Sequence, residues 1–148
     1  RRLFVQHYVC VMRRKHPLSN QKLTKAALKN QQHLLVEYSG SGHTKLEKAL
    51  VQLSGKGSIK VRIPQYLSAP YFIANSDLLW IAPAVLAEKL AQNHSLQIQP
   101  VPVELPNFEV ALYWHERYHT DVGNRWLREY ITTKVQNELG RVNATQEY

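Results

Sequence analysis

An α/β fold is predicted from three observations: short apolar runs rich in strand-forming residues, one-sided apolar stretches of helical spacing between them, and glycine or proline at most of the changeovers. His7 to Met12 reads His-Tyr-Val-Cys-Val-Met and ends in Arg-Arg-Lys-His-Pro, which predicts a buried strand followed by a polar turn. A weak helix is expected from Thr24 through Ala27 and Leu28, and Leu34-Leu35-Val36 forms a second strand. Ser39-Gly-Ser-Gly-His43 reads as a loop leading into a helix that carries Leu46, Leu50 and Leu53 on one side. Gly55 and Gly57 close that helix.

Ile59 to Ile63 alternates apolar with basic residues, as a half-exposed strand does, and Pro64 stops it. A short helix covers Tyr66 to Ala74, Asn75-Ser76-Asp77 turns the chain, and Leu78 to Ala82 is a continuous apolar strand. Pro83 is suited to the first position of a helix running to about Gln92, because its missing N–H costs nothing there. Leu96 to Val103 is extended and non-central, given Pro100 and Pro102, and Phe108 to Trp114 is a further strand. Thr120 or Asp121 opens the last helix, with Trp126, Leu127, Tyr130, Ile131 and Val135 along one side, and a polar, frayed tail follows Gly140. This rhythm implies a mostly parallel sheet with helices on both faces. Ligands of such sheets gather beyond the carboxyl ends of the strands.

Composition narrows the function. The 148 residues include 19 Lys and Arg against 11 Asp and Glu, a formal charge of +8, which invites an anionic partner. The basic residues are scattered in short groups without interleaved aromatics, so a dedicated nucleic-acid face is not expected. A lone cysteine, Cys10, cannot form an internal disulfide, and its place in an apolar strand suits a small buried hydrophobe better than a nucleophile. No apolar run approaches a membrane span and no signal-peptide core is present, so the expected location is the cytoplasm. The first residue is not Met, from which a fragment or processed chain is expected.

Two motifs invite chemistry. Gly40 to His43 could bring backbone N–H groups to an anion, but it lacks the third glycine of the dinucleotide fingerprint and the Gly-Lys-Ser/Thr ending of a P-loop. A carboxylate or other small anion is the more fitting occupant. His115-Glu-Arg-Tyr-His119 matches the zinc-peptidase pattern by letters alone; a helix spanning both histidines and a third ligand are not indicated. No metal site, cofactor or catalytic residue is therefore expected. His7 and His43 stand at strand and loop ends where the sheet turns toward its cleft, and either could donate to a bound acid or be satisfied by water.

Several segments occur together in a familiar order: Leu3-Phe4; His7-Tyr-Val-Cys-Val-Met-Arg-Arg-Lys-His-Pro-Leu18; Ser39-Gly-Ser-Gly-His43; Ser76-Asp-Leu-Leu-Trp-Ile-Ala-Pro83; Tyr113-Trp-His-Glu-Arg-Tyr-His119; and Asn124-Arg-Trp-Leu-Arg128. Over residues 1 to about 137 this resembles the effector-binding domain of LysR-type transcriptional regulators. The nearest likeness is to the salicylate- and nitroaromatic-responsive and nodulation regulators. The resemblance implies a type 2 periplasmic-binding-protein-like fold in which two α/β subdomains enclose an inducer. Residues 1–103 would form the second subdomain, and residues 104–148 the crossing strand and C-terminal helix that complete the first.

It further implies that His7 and His43 border the inducer, with Ser39, Ser41 and Val110 lining the same cleft. Asn75 stands where those regulators place a basic residue implicated in activation. The implied partners are a small-molecule inducer, an aromatic or carboxylate compound, and further copies of the chain in a homo-oligomer. DNA would be met only through an N-terminal winged helix-turn-helix outside these residues, and no membrane is involved. The readings from other classes are a solute-binding module and, remotely, a zinc hydrolase.

Overall fold

The computed structural model describes residues 1–37 and 41–145. The chain divides into two compact units, one formed by Arg1–Gln6 with Phe108–Tyr148 and the other by His7–Asn107.

The larger unit is a five-stranded sheet. Its strands are β2 (Tyr8–Arg13), β3 (His33–Val36), β4 (Ile59–Ile63), β5 (Leu79–Pro83) and β6 (Leu96–Pro100), in the order β4-β3-β5-β2-β6. β3 is parallel to both β4 and β5, whereas β2 is antiparallel to both β5 and β6. The expected mostly parallel sheet is thus corrected to a mixed one. Direction is not encoded in the apolar pattern of a buried strand, because both faces are covered whichever way it runs.

Helices cover both faces. Val9 and Val11 of β2 point to one side with Leu34, Val36, Trp80 and Ala82, under α3 (Ala69–Ala74) and α4 (Ala84–Ala91). Cys10 and Met12 point to the other with Leu35, Leu79 and Ile81, where Leu28 of α1 (Lys25–Lys29) and Leu46 and Leu50 of α2 (Ser41–Ser54) close over them. The alternation along His7 to Met12 therefore feeds two cores, which is why the run reads as continuously apolar. Thr24 caps α1 through the Ala27 N–H (3.1 Å), and Gly55 leaves α2 with φ +83°, the left-handed region where glycine avoids the cost of a Cβ. β6 is an edge strand, so Pro100 at its end interrupts no interior ladder. Its Gln99 side chain instead accepts from the Leu23 N–H (3.0 Å) and donates to the Leu18 and Gln21 carbonyls, fastening the loop after β2.

In the smaller unit, β1 (Arg2–Gln6) pairs antiparallel with β7 (Phe108–Ala111), and α5 spans Val122–Thr145. β1 had no expectation of its own from the sequence, since its charged start hides a short pairing segment. β7 ends at Ala111 rather than Trp114, and α5 continues past Gly140 in place of the expected frayed tail. Asp121 opens α5: its Oδ1 accepts from the Asn124 N–H at 2.7 Å. The side of α5 expected to be buried is largely open, with Trp126 and Tyr130 stacked on each other at 5.4 Å and both exposed. Among the described side chains of α5 the buried ones are Arg128 and Thr132. Among the described residues no helix is long and apolar enough to cross a membrane.

Candidate functional site

Because β3, β4 and β5 run parallel, the carboxyl ends Val36, Ile63 and Pro83 lie at one edge of the sheet. Antiparallel β2 starts where β5 ends, pairing Tyr8 with Pro83, so His7 is at that edge too. Its side chain is exposed, and its carbonyl accepts from the Ala84 N–H (3.0 Å), tying the residue to the first turn of α4. The chain leaving β3 begins α2 at Ser41, so the backbone of Ser41 and His43 lies in the first turn of that helix rather than in a loop. Ser39 lies outside the described residues.

Two residues at this edge were not singled out from the sequence. Tyr8 is half-buried beside His7, and desolvation raises its phenol above the ordinary 10. Tyr66 follows β4 with its ring 6.3 Å from that of Trp80; burial, and secondarily the Tyr8 phenol, push it to about 12. Both phenols therefore stay neutral. The signal that could have found them is a tyrosine directly before or shortly after an apolar strand, a weak one because tyrosine also fills such places as core. Val110 belongs to the smaller unit, where it is partly buried and pairs with Phe4. The structure thus gathers His7 and the start of α2 within one unit.

Asn75 ends α3 and its amide donates to the Tyr71 carbonyl at 2.8 Å. Cys10 is fully buried and its thiol is pushed up to about 12, which removes it as a nucleophile. The stretch from His115 to His119 is a short 3-10 turn over Glu116–Tyr118, so the two histidines do not share an α-helical face. His115 Nδ1 accepts from the Arg117 N–H (3.2 Å) and His119 Nδ1 from the Trp114 indole (3.3 Å). Among the described residues no three His, Cys, Asp or Glu side chains are grouped to hold a metal. A concavity of about 350 Å³ in the smaller unit is lined by Arg1, Trp114, His119, Thr120, Arg125, Arg128 and Glu129.

A mixed sheet whose parallel strands end together at one edge, with helices on both faces, is an arrangement found in binding-protein-like domains. Residues 1–136 match the family model of the LysR substrate binding domain, and the chain belongs to that family. It is 31% identical over 131 residues to the HTH-type transcriptional activator NahR of Pseudomonas putida, an alignment covering 88% of this chain and 44% of that protein. To the HTH-type transcriptional regulator SyrM of Rhizobium meliloti it is 36% identical over 136 residues, covering 88% and 40%. The chain thus spans less than half the length of these relatives.

Among solved structures, a transcriptional regulator from Vibrio parahaemolyticus superposes with a TM-score of 0.81 at 21% identity, over 95% of this chain and 66% of that one. The effector binding domain of QuiR in complex with shikimate gives 0.70 at 9% identity, over 92% and 64%. These likenesses establish the fold, which is that of the regulatory domains of LysR-type proteins.

Proposed function

We propose that this chain is the effector-sensing part of a DNA-binding transcriptional regulator, and that a small organic acid binds at the carboxyl edge of the five-stranded sheet. What supports this reading is the backbone placement of His7 and of the first turn of α2 at the carboxyl end of the same sheet. An exposed imidazole beside the N-terminus of a long helix suits a carboxylate, and the rings at the border of that edge suit an apolar or aromatic body. The complex of QuiR with shikimate is a precedent for a hydroxylated acid in this fold. Ser41 is assigned to the same ligand, His7–Asn107 to the second subdomain, and Arg1–Gln6 with Phe108–Tyr148 to part of the first.

Effector binding then shifts the balance between arrangements of the regulator, and DNA is contacted by a helix-turn-helix outside residues 1–148, as the names of the relatives support. The protein acts without catalysis, in the cytoplasm, as a homo-oligomer. The test is a thermal-shift screen of the intact regulator with small organic acids, salicylate and shikimate among them. A ligand at about a hundred times its dissociation constant adds about 2.7 kcal/mol of apparent stability, a readily measured rise in melting temperature. No shift with any acid of the screen would count against the reading.

A further inference from the structure

Arg62, on β4, lies beside Leu35 of β3 in the sheet register. Its guanidinium reaches two carboxylates on different elements: Nη1 meets Glu37, the residue after β3, and Nη2 meets Glu47, in the second turn of α2, at 2.7 Å. The backbone joins the same corner, because the Glu37 N–H donates to the Ile63 carbonyl at 2.8 Å. Donating to Glu47, and then to Glu37, holds the guanidinium above its ordinary pKa against the opposing effect of desolvation. Between these two glutamates runs all of the chain that links β3 to the first turn of α2, including Ser39, Ser41 and His43.

We infer that Arg62 is a positioning residue of the effector site, its forked guanidinium tying the end of β3 to the second turn of α2 and so setting where the turn that carries His43 begins. The inference rests on the effector reading above for its functional consequence, and on the ion pairs alone for its structural one. Arginine is the residue that can do this. Its planar fork presents separate N–H groups to two carboxylates at once, whereas a lysine ammonium is a single point charge. The side chains are partly open to solvent, with relative exposures of 40% for Arg62, 53% for Glu37 and 35% for Glu47, so the tie is of modest strength and sensitive to salt.

The experiment measures amide hydrogen exchange in the intact regulator, comparing the parent with Arg62→Gln and Arg62→Lys. In Arg62→Gln, exchange in the first two turns of α2 should rise about three- to tenfold while β2 and β5 exchange as before. Arg62→Lys should fall between the two, and about 1 M NaCl should reproduce the rise in the parent by screening. Unchanged exchange at α2, or an equal rise spread over β2 and β5, would overturn the inference. Calorimetry with salicylate as probe gives the functional arm: Arg62→Gln should bind more weakly by a similar factor at an unchanged unfolding midpoint, and equal affinity would overturn the positioning role. If the parent does not bind salicylate, that acid is excluded as effector, and exchange at α2 still decides the tie.

Discussion

The guanidinium of Arg128 lies over the indole of Trp114, its carbon 4.4 Å from the ring centroid. The same group donates to the Tyr118 carbonyl (3.2 Å) and the His119 carbonyl (2.8 Å) and meets the Asn124 side chain, and the His119 ring stacks near that of Trp114 at 6.1 Å. One buried cation thus organises the turn between β7 and α5. Arg128→Ala should lower the unfolding free energy by about 2–3 kcal/mol, because charged hydrogen bonds to half-buried carbonyls are lost together with the ring contact. Arg128→Lys should recover less than half of that. Denaturant titration of the intact protein checks both, and a loss below about 0.5 kcal/mol would remove Arg128 as the organiser.

His33 opens β3 with no exposed surface, and neither ring nitrogen makes a hydrogen bond of normal geometry. Burial lowers it from 6.5 to about 4, opposed only by the nearby Leu28 carbonyl. Between those values the unfolded chain binds the proton and the folded one does not, so stability is whole above about pH 6.5 and falls as the pH drops toward 4. The loss should reach about 3 kcal/mol at the acid end. A His33→Leu variant should lose this slope, read from denaturant midpoints at a series of pH values; an unchanged slope would assign acid sensitivity elsewhere.

Asp121 caps α5 through the Asn124 N–H. Asp121→Ala should cost about 1 kcal/mol and Asp121→Asn much less, since either side chain can accept the same hydrogen bond. Helicity and thermal unfolding followed by circular dichroism measure the difference, and equal effects of the two substitutions would argue for charge alone.

His7 has an exposed side chain beside the first turn of α4, so His7→Ala leaves no core cavity. Its loss, and that of His43, should weaken effector binding by about ten- to a hundredfold through a charge-assisted hydrogen bond, with little change in stability. Calorimetry with the acid found by thermal shift, beside denaturant unfolding, distinguishes this from a structural role. Affinity equal to the parent in both variants would show that neither histidine touches the ligand.

Much of this was legible in the sequence. The runs at Val9–Met12 and Leu34–Val36 announced buried strands because their apolar residues leave no face for solvent, and Pro83 marked the passage from strand to helix, although it ends β5 and caps α4 instead of filling the first helical position. The ordered motifs from Leu3 to Arg128 carried the family, which the match over residues 1–136 establishes. Strand direction, the gathering of His7 with α2 at one edge, the burial of Arg128 in place of Trp126, and the hold of Arg62 on two glutamates came only with the tertiary structure. The reason is physical: local patterns record whether a residue is to be buried, whereas direction, register and ion pairing depend on groups far apart in the chain that meet only when the sheet assembles.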